Sequence, residues 1–181
     1  CELVVVSDCV RHTDTTEFAH VLLPALAWGE KEGTVTNSER RISRQRAFLP
    51  APGEAKPDWW ILTQVARRLG FAEAAFAYQS SADIFREYAA LSGEQNKGTR
   101  DFDISGLANL SDADYQRLSP VQWPLKSPTD VGTTRLFGDY QFFTADNKAH
   151  LVAITPRAPV HLPNRDYPFI LNTGRTRDQW H

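Results

Sequence analysis

Short apolar runs that stop abruptly at polar residues constrain the fold of this chain most. Residues 3–6, Leu-Val-Val-Val, resemble a buried parallel strand, and the run stops at Ser7-Asp8. A second run, residues 21–25, precedes the charged, glycine-containing segment 28–41. In an α/β sheet both strands would deliver polar groups to the carboxyl edge, where such sheets bind nucleotides. The sequence therefore predicts a ligand-binding edge, and a solvated turn is the alternative interpretation of segment 28–41.

Helical periodicity and capping residues predict three helices in the middle of the chain. The clearest covers residues 58–69, with Asp58 as its cap and Gly70 as its stop. Its apolar face is formed by Ile61, Val65 and Leu69. The other two cover residues 81–91, with Ile84, Phe85, Tyr88 and Leu91 on one side, and residues 111–118, capped by Ser111.

The rest of the chain is predicted to be short strands and irregular segments. The first half adds a short helix at 13–20 and an irregular crossing at 44–57. The second half adds a loop at 119–134, a hairpin of 135–143 with 149–154, a linker at 156–163 and a strand at 169–171. The fold class is therefore α/β, with a mostly helical middle and a β end.

Composition excludes several classes of protein. With 181 residues, 41% of them hydrophobic, the chain can bury a core and is not disordered as a whole. A formal charge of −2 provides no overall field that would attract nucleic acid or an anionic membrane. The absence of an apolar run of about 20 residues argues against a membrane helix, and we expect a cytoplasmic location.

Familiar catalytic and metal-binding motifs are missing. The dinucleotide fingerprint, the P-loop and the nucleophile elbow are all absent from the sequence. Cys1 and Cys9 form neither a disulfide framework nor a metal-ligand pair, and the five histidines lack zinc-ligand spacing. Any bound anion must therefore be held by a local arrangement of side chains.

Several strand ends and loops nevertheless offer complementary groups for a nucleotide. The carboxylate of Asp8 can accept hydrogen bonds from the N1–H and amino edge of a guanine, and Lys31 and Arg175 can bind phosphates. Gly33 and Gly174 allow close approach of the backbone, and Thr34, Thr36 and Thr173 offer hydroxyl groups. His181 lies near Arg175, Arg177 and Trp180 in the sequence. Each group has an ordinary alternative: Asp8 as a helix cap, Lys31 as a solvated side chain, Arg175 in a surface ion pair.

Five stretches spread over the whole chain match the pattern of one family. They are residues 4–8 (VVVSD), 22–25 (LLPA), 28–41 (WGEKEGTVTNSERR), 52–60 (PGEAKPDWW) and 173–181 (TGRTRDQWH). In their order and spacing they resemble the molybdopterin oxidoreductase family, and within it the assimilatory nitrate reductases. The chain departs from the family pattern at His20, where an aspartate is common, and in the linker after Gly93.

The resemblance implies a set of cofactor-contacting residues and no reaction centre in this chain. The positions that match are Ser7, Asp8, Lys31, Asp58, Thr173, Gly174, Arg175, Thr176, Arg177, Asp178, Gln179, Trp180 and His181. The implied cofactor is molybdenum held by two molybdopterin guanine dinucleotides, with Asp8 on a guanine and Arg175 near the phosphates of the second dinucleotide. The family's molybdenum and iron–sulfur ligands lie upstream, so no metal ligand and no catalytic residue is assigned here.

The resemblance also implies an activity, partners and a domain organisation. The intact enzyme would reduce nitrate to nitrite, supplied with electrons through a 4Fe–4S cluster by a donor protein or domain. The alternatives are a formate dehydrogenase, a periplasmic nitrate reductase and a non-catalytic nucleotide-binding module. Residues 1–41 would close a Rossmann-like domain, 42–162 would form a mixed α/β segment, and 163–181 would open a β-barrel domain.

We expect this sequence to be an internal piece of a larger protein. It has no methionine, begins inside an apparent strand and ends on Asp178-Gln179-Trp180-His181. An incomplete Rossmann domain leaves strand edges and apolar surface uncovered. We therefore expect the isolated chain to be inactive and poorly stable.

Overall fold

The computed structural model describes residues 1–171 of the chain. Two compact units are present, one covering Cys1–Lys148 and the second beginning at Ala149. All the regular structure of the described residues lies in the first unit. The coarse prediction of a mixed α/β chain is confirmed, whereas the boundaries after residues 41 and 162 stay predictions.

The two predicted N-terminal strands form and pair in parallel. β1 (Val5–Asp8) and β2 (Val21–Pro24) align with Val5 opposite Val21 and Asp8 opposite Pro24. The first strand begins two residues later than predicted, and it is not buried, because among residues 1–171 it has β2 as its only strand neighbour. The predicted helix at 13–20 was wrong in extent, since only a single 3₁₀ turn, Thr16–Phe18, forms there.

Most of the charged segment 28–41 is regular structure rather than an open loop. It begins with a 3₁₀ turn, Trp28–Glu30, and continues as β3 (Gly33–Thr36). β3 pairs antiparallel with β4 (Arg41–Gln45), which in turn pairs with β5 (Val121–Gln122). The hairpin turn is closed by Asn37, whose side-chain oxygen accepts the backbone N–H groups of Glu39 and Arg41. Regular strand pairing therefore extends into both regions predicted to be irregular, 44–57 and 119–134.

The three predicted helices are all present: α1 (Asp58–Arg68), α2 (Ser81–Gly93) and α3 (Asp112–Arg117). Ser111 caps α3 by accepting the N–H of Asp114, as predicted. The predicted cap of α1 was wrong by one residue, because Pro57 takes that position and Asp58 is the first helical residue. Gly70, with φ +87°, follows the end of α1 in the left-handed conformation that favours glycine.

The buried faces of α1 and α2 differ from the predicted ones. In α1, Ile61 is buried as predicted, but Val65 is exposed, and so is Leu69, which follows the helix. In α2, Phe85 is buried, whereas Tyr88 and Leu91 are exposed. The inward positions of α2 are Ala82, Phe85, Ala89 and Ser92. Three of these four residues are small, which allows α2 to pack closely on the core.

The core lies between the β3–β4–β5 sheet and helices α2 and α3. Its buried apolar side chains are Ile42, Ala82, Phe85, Ala89, Ile104, Leu107, Tyr115 and Leu125. Ser92 joins this core through its hydroxyl, which accepts the N–H of Ile104 and donates to the carbonyl of Ala89. The core thus fixes β4, and with it the segment that precedes the hairpin.

The predicted strands of the C-terminal third were wrong. Within the described residues, neither 135–143 nor 149–154 is a strand, and 169–171 is not one either. Phe137 and Phe142 instead stack at 4.7 Å between ring centroids inside an irregular loop, and Phe137 has a φ of +57°. No helix among residues 1–171 is long and apolar enough to cross a membrane.

Candidate functional site

The carboxyl ends of β1 and β2 meet a third segment of chain. Ala25 donates its N–H to the carbonyl of Asp8, which continues the pairing beyond the strands. Lys56 donates to the carbonyl of Pro24 and accepts from Leu26, forming a parallel bridge. This segment leads directly into α1, so the first turn of α1 is tied to the edge where the two strands end.

A cavity of about 560 Å³ lies at this edge. Its wall includes Val6, Asp8, Cys9, Arg11, Glu54 and Ala55. The volume falls within the range of about 300–1,000 Å³ that is usual for small-ligand pockets. The sequence-based prediction that polar groups collect at the ends of these strands is therefore matched by a cavity of suitable size.

Asp8 is the predicted guanine-contacting residue, and it lies at this cavity. Its Oδ1 accepts the backbone N–H of Val10 at 2.9 Å, which orients the carboxylate. A carboxylate has about four acceptor positions, so the side chain retains capacity for two further donors. Ser7 precedes it in β1, opposite Leu23 of β2.

Lys31 and Asp58 are the two predicted site residues that contact each other. The Lys31 Nζ lies 2.8 Å from Oδ2 of Asp58, and both side chains are partly exposed. Lys31 directly follows the Trp28–Glu30 turn, and Asp58 is the first residue of α1. The pair therefore joins the charged segment 28–41 to the start of the helix that follows the 52–56 segment.

The remaining predicted site residues fall in two groups. Gly33, Thr34 and Thr36 lie in β3, where the backbone carbonyl of Gly33 accepts a hydrogen bond from Arg44. Thr173, Gly174, Arg175, Thr176, Arg177, Asp178, Gln179, Trp180 and His181 lie outside the described residues. Their roles stay predictions.

Sequence reasoning missed four polar side chains at the cavity: Cys9, Arg11, Thr16 and Glu54. Cys9 and Arg11 come shortly after the end of the predicted first strand. Their place in the sequence could therefore have indicated that they lie at the carboxyl edge of the sheet. Glu54 belongs to the family-like stretch 52–60 but carried no assigned role. Within residues 1–171, no cluster of three or more His, Cys, Asp or Glu side chains is arranged to hold a metal ion.

Two groups at the start of α2, away from this cavity, have shifted pKa values. The backbone N–H of Gln79, with Arg86 and Ser80, holds the pKa of Asp83 below its usual range. A hydrogen bond to Glu87, together with burial, raises the pKa of Tyr78. These shifts belong to the N-terminal region of α2 and not to the candidate site.

The class of protein follows from comparison with known families. Residues 1–68, which include β1, β2, the Lys31–Asp58 pair and the cavity wall, match the model of the molybdopterin oxidoreductase family. The resemblance seen in the sequence is thereby confirmed, since residues 1–68 are similar to the molybdopterin oxidoreductases.

Individual relatives are similar to nearly the whole length of this chain. The chain is 51% identical, over its full length, to a nitrate reductase of Klebsiella oxytoca. It is 38% identical over 93% of its length to the assimilatory nitrate reductase catalytic subunit of Bacillus subtilis. It is also 34% identical over 99% of its length to the F420-dependent formate dehydrogenase subunit alpha of Methanocaldococcus jannaschii. The chain spans 20 to 24% of the length of these relatives.

Proposed function

We propose that this chain is part of a molybdenum-dependent nitrate reductase and forms one wall of its bis-molybdopterin guanine dinucleotide site. The observation that carries the proposal is the cavity at the ends of β1 and β2, which lies in the region that matches the family model. The 51% identity to a nitrate reductase over all 181 residues supports nitrate as the substrate of the intact protein.

The residues at the cavity suit a guanine nucleotide. Asp8 supplies a carboxylate whose remaining acceptor positions match the N1–H and exocyclic amino group of guanine. The apolar wall, including Val6 and Leu23, suits the faces of a purine. In this proposal Asp8 selects guanine, because an adenine would present an acceptor where guanine presents the N1–H donor.

The Lys31–Asp58 pair would bind the more polar part of the same cofactor. Lys31 would supply positive charge to a phosphate, and Asp58 would orient the lysine before the cofactor binds. Residues 173–181 would contribute a second set of contacts, with Arg175 near the phosphates of the second dinucleotide. Bound molybdenum would supply the redox chemistry, while the residues of this chain bind and orient the cofactor.

The proposal includes features of the intact protein. Residues 1–41 would complete a Rossmann-like domain, 42–162 the mixed segment, and 163–181 would begin a β-barrel domain; the parallel pairing of β1 and β2 supports the first of these. A 4Fe–4S cluster ligated elsewhere would pass electrons from a donor protein or domain. An assimilatory role, as in the Bacillus subtilis relative, is consistent with a cytoplasmic location.

A formate dehydrogenase is the second candidate, favoured by the 34% identity to the Methanocaldococcus jannaschii subunit. A periplasmic nitrate reductase and a non-catalytic nucleotide-binding module are the further alternatives. Assaying the full-length protein with nitrate and with formate separates these activities. Turnover of formate but not nitrate would overturn the substrate assignment and leave the cofactor assignment intact.

The cofactor assignment is tested by Asp8→Asn and Asp8→Ala in the full-length protein. Asp8→Asn keeps an acceptor for the N–H of Val10 but presents an amide donor to the guanine edge. We expect either variant to retain roughly tenfold less guanine nucleotide per polypeptide, because a lost hydrogen bond to a charged group costs about 1.5–3 kcal/mol. Asp14→Ala, at an exposed aspartate of the same connection, is the matched control. Unchanged guanine content in the Asp8 variants would refute the assignment.

A further inference from the structure

The Trp28–Glu30 turn that precedes Lys31 is closed by its own third residue. The backbone N–H of Glu30 donates to the carbonyl of Ala27 at 3.1 Å. In the opposite direction, Oε2 of Glu30 accepts the backbone N–H of Ala27 at 2.8 Å. The side chain of Glu30 therefore locks the turn that sets the starting point of Lys31.

The same turn is held from outside by the chain that follows β4. The carbonyl of Gly29 accepts the N–H groups of both Phe48 and Leu49 at 2.9 Å. Gly29 is buried, and a Cβ there would lie 2.8 Å from the ring of Phe48. Gln45, at the end of β4, donates its side-chain amide to the carbonyl of Trp28. The turn is thus anchored to the hairpin, which packs on the core through Ile42.

Both carboxylates next to Lys31 in the sequence are engaged elsewhere. Glu30 binds the backbone of Ala27, and Glu32 lies 3.5 Å from the buried guanidinium of Arg44. Lys31 consequently directs its amine away from its neighbours and toward Asp58, 27 residues further on. A flexible lysine with two adjacent free carboxylates would have several competing partners, which would lower the local availability of its charge.

We infer that Glu30 is a positioning residue, which by locking the Trp28–Glu30 turn holds the amine of Lys31 beside Asp58, where the proposed function has it bind a cofactor phosphate. The inference rests on the proposed function, because it takes Lys31 as a phosphate-binding residue. Glu30 itself touches no phosphate in this arrangement, since its carboxylate is directed at the backbone of Ala27.

The test is a double-mutant cycle in the full-length protein, measuring guanine nucleotide retained per polypeptide during gel filtration at increasing salt. Lys31→Met should lower retention about tenfold and flatten its salt dependence, because an ionic contact is removed. Glu30→Ala should lower retention about three- to tenfold in the same way. Glu30→Gln keeps an acceptor for the N–H of Ala27 and should retain as much nucleotide as the unmodified protein. Glu39→Ala, at an exposed glutamate of the hairpin turn, is the charge-matched control.

The decisive comparison is Glu30→Ala in the Lys31→Met background. If Glu30 acts through Lys31, the second change adds no further loss, whereas a general loss of stability would add to it. Additive losses, or a full loss in Glu30→Gln, would overturn the inference. If Lys31→Met alone leaves retention unchanged, the failure lies in the proposed phosphate contact. Should Glu30→Ala not fold, Glu30→Met replaces it, because methionine keeps the length of the side chain and offers no carboxylate acceptor to the N–H of Ala27.

Discussion

Arg44 joins the β3–β4 hairpin to α3 through a guanidinium that is fully buried. Its Nη1 donates to the carbonyl of Gly33 and to the hydroxyl of Tyr115, and its Nη2 donates to the side chain of Gln116. The guanidinium also lies 4.0 Å from the ring centroid of Tyr115. These contacts use the planar fork of arginine, which lysine cannot reproduce.

We predict that Arg44→Ala destabilises the hairpin by about 3 kcal/mol, because it removes a buried side chain that packs on Tyr115 and binds the carbonyl of Gly33. Native-state hydrogen exchange of the β4 amides in the intact protein measures this change directly. Arg46→Ala is the control, since Arg46 is exposed and bonds the carbonyl of Gln116. Its effect should stay below about 1 kcal/mol. Equal effects of the two substitutions would contradict the structural role of Arg44.

Single residues of the candidate site were identified from sequence more readily than their contacts. Asp8 stands at the end of a recognisable strand, so its place at the cavity followed from topology. The pairing of Lys31 with Asp58 could not be predicted, because no local period relates residues 27 positions apart. Their contact depends on the Pro24–Lys56 hydrogen bond that brings the start of α1 to the strand ends.

At the scale of elements, the start of α2 depends on one carboxylate. Oδ2 of Asp83 accepts the backbone N–H groups of Gln79 and Ser80, each at 2.9 Å, and Arg86 donates to Oδ1. The hydrogen bond from Gln79 is the largest cause that lowers the pKa of Asp83. The ionised carboxylate therefore stabilises the first turn of the helix.

We predict that this stabilisation is lost in acid. Because the pKa of Asp83 is lower in the folded protein than the unfolded value of about 3.9, its contribution is complete above that value and disappears as the pH falls through the folded pKa. Hydrogen-exchange protection of the Gln79 and Ser80 amides, compared with intrinsic rates at each pH, measures the change. Asp83→Asn should have weaker protection near neutrality and little acid dependence. An unchanged acid dependence in that variant would assign the effect to other groups.

Elements with strong local signals were predicted, and those decided by tertiary packing were not. Ser111 and Gly70 mark helix ends through local chemistry, and α3 and α1 lie where the sequence predicts them. Segment 28–41 was interpreted as a polar binding segment or a solvated turn, because β3 is only four residues long and has no alternating burial. Arg44 is buried through partners that are distant in the sequence. Phe137, Phe142 and Phe143 suggested a strand, but they pack on one another in a loop.

At the scale of the whole molecule, apolar side chains remain widely exposed. Leu62 of α1 is 68% exposed, and Leu69, which follows the helix, is 72% exposed. In the second unit every described residue from Ala149 to Leu171 is exposed. Surfaces of this kind are normally covered by another part of a protein or by a partner. The chain also spans only about a fifth of the length of the nitrate reductase from Klebsiella oxytoca. Both observations indicate that the 181 residues lack much of the contact surface that a full-length relative supplies.

We therefore predict that the isolated 181-residue chain unfolds without a sharp, two-state thermal transition. The buried core of the first unit joins β4, α2 and α3, while β1 and β2 form a separate two-stranded sheet, so loss of one need not unfold the other. Calorimetry and near-ultraviolet circular dichroism should give broad transitions that do not coincide, and the chain should bind a hydrophobic dye before heating. The full-length protein, treated identically, is the control and should bind less dye per residue. A single sharp transition of the isolated chain, with equal calorimetric and van't Hoff enthalpies, would show that its exposed surface does not limit its stability.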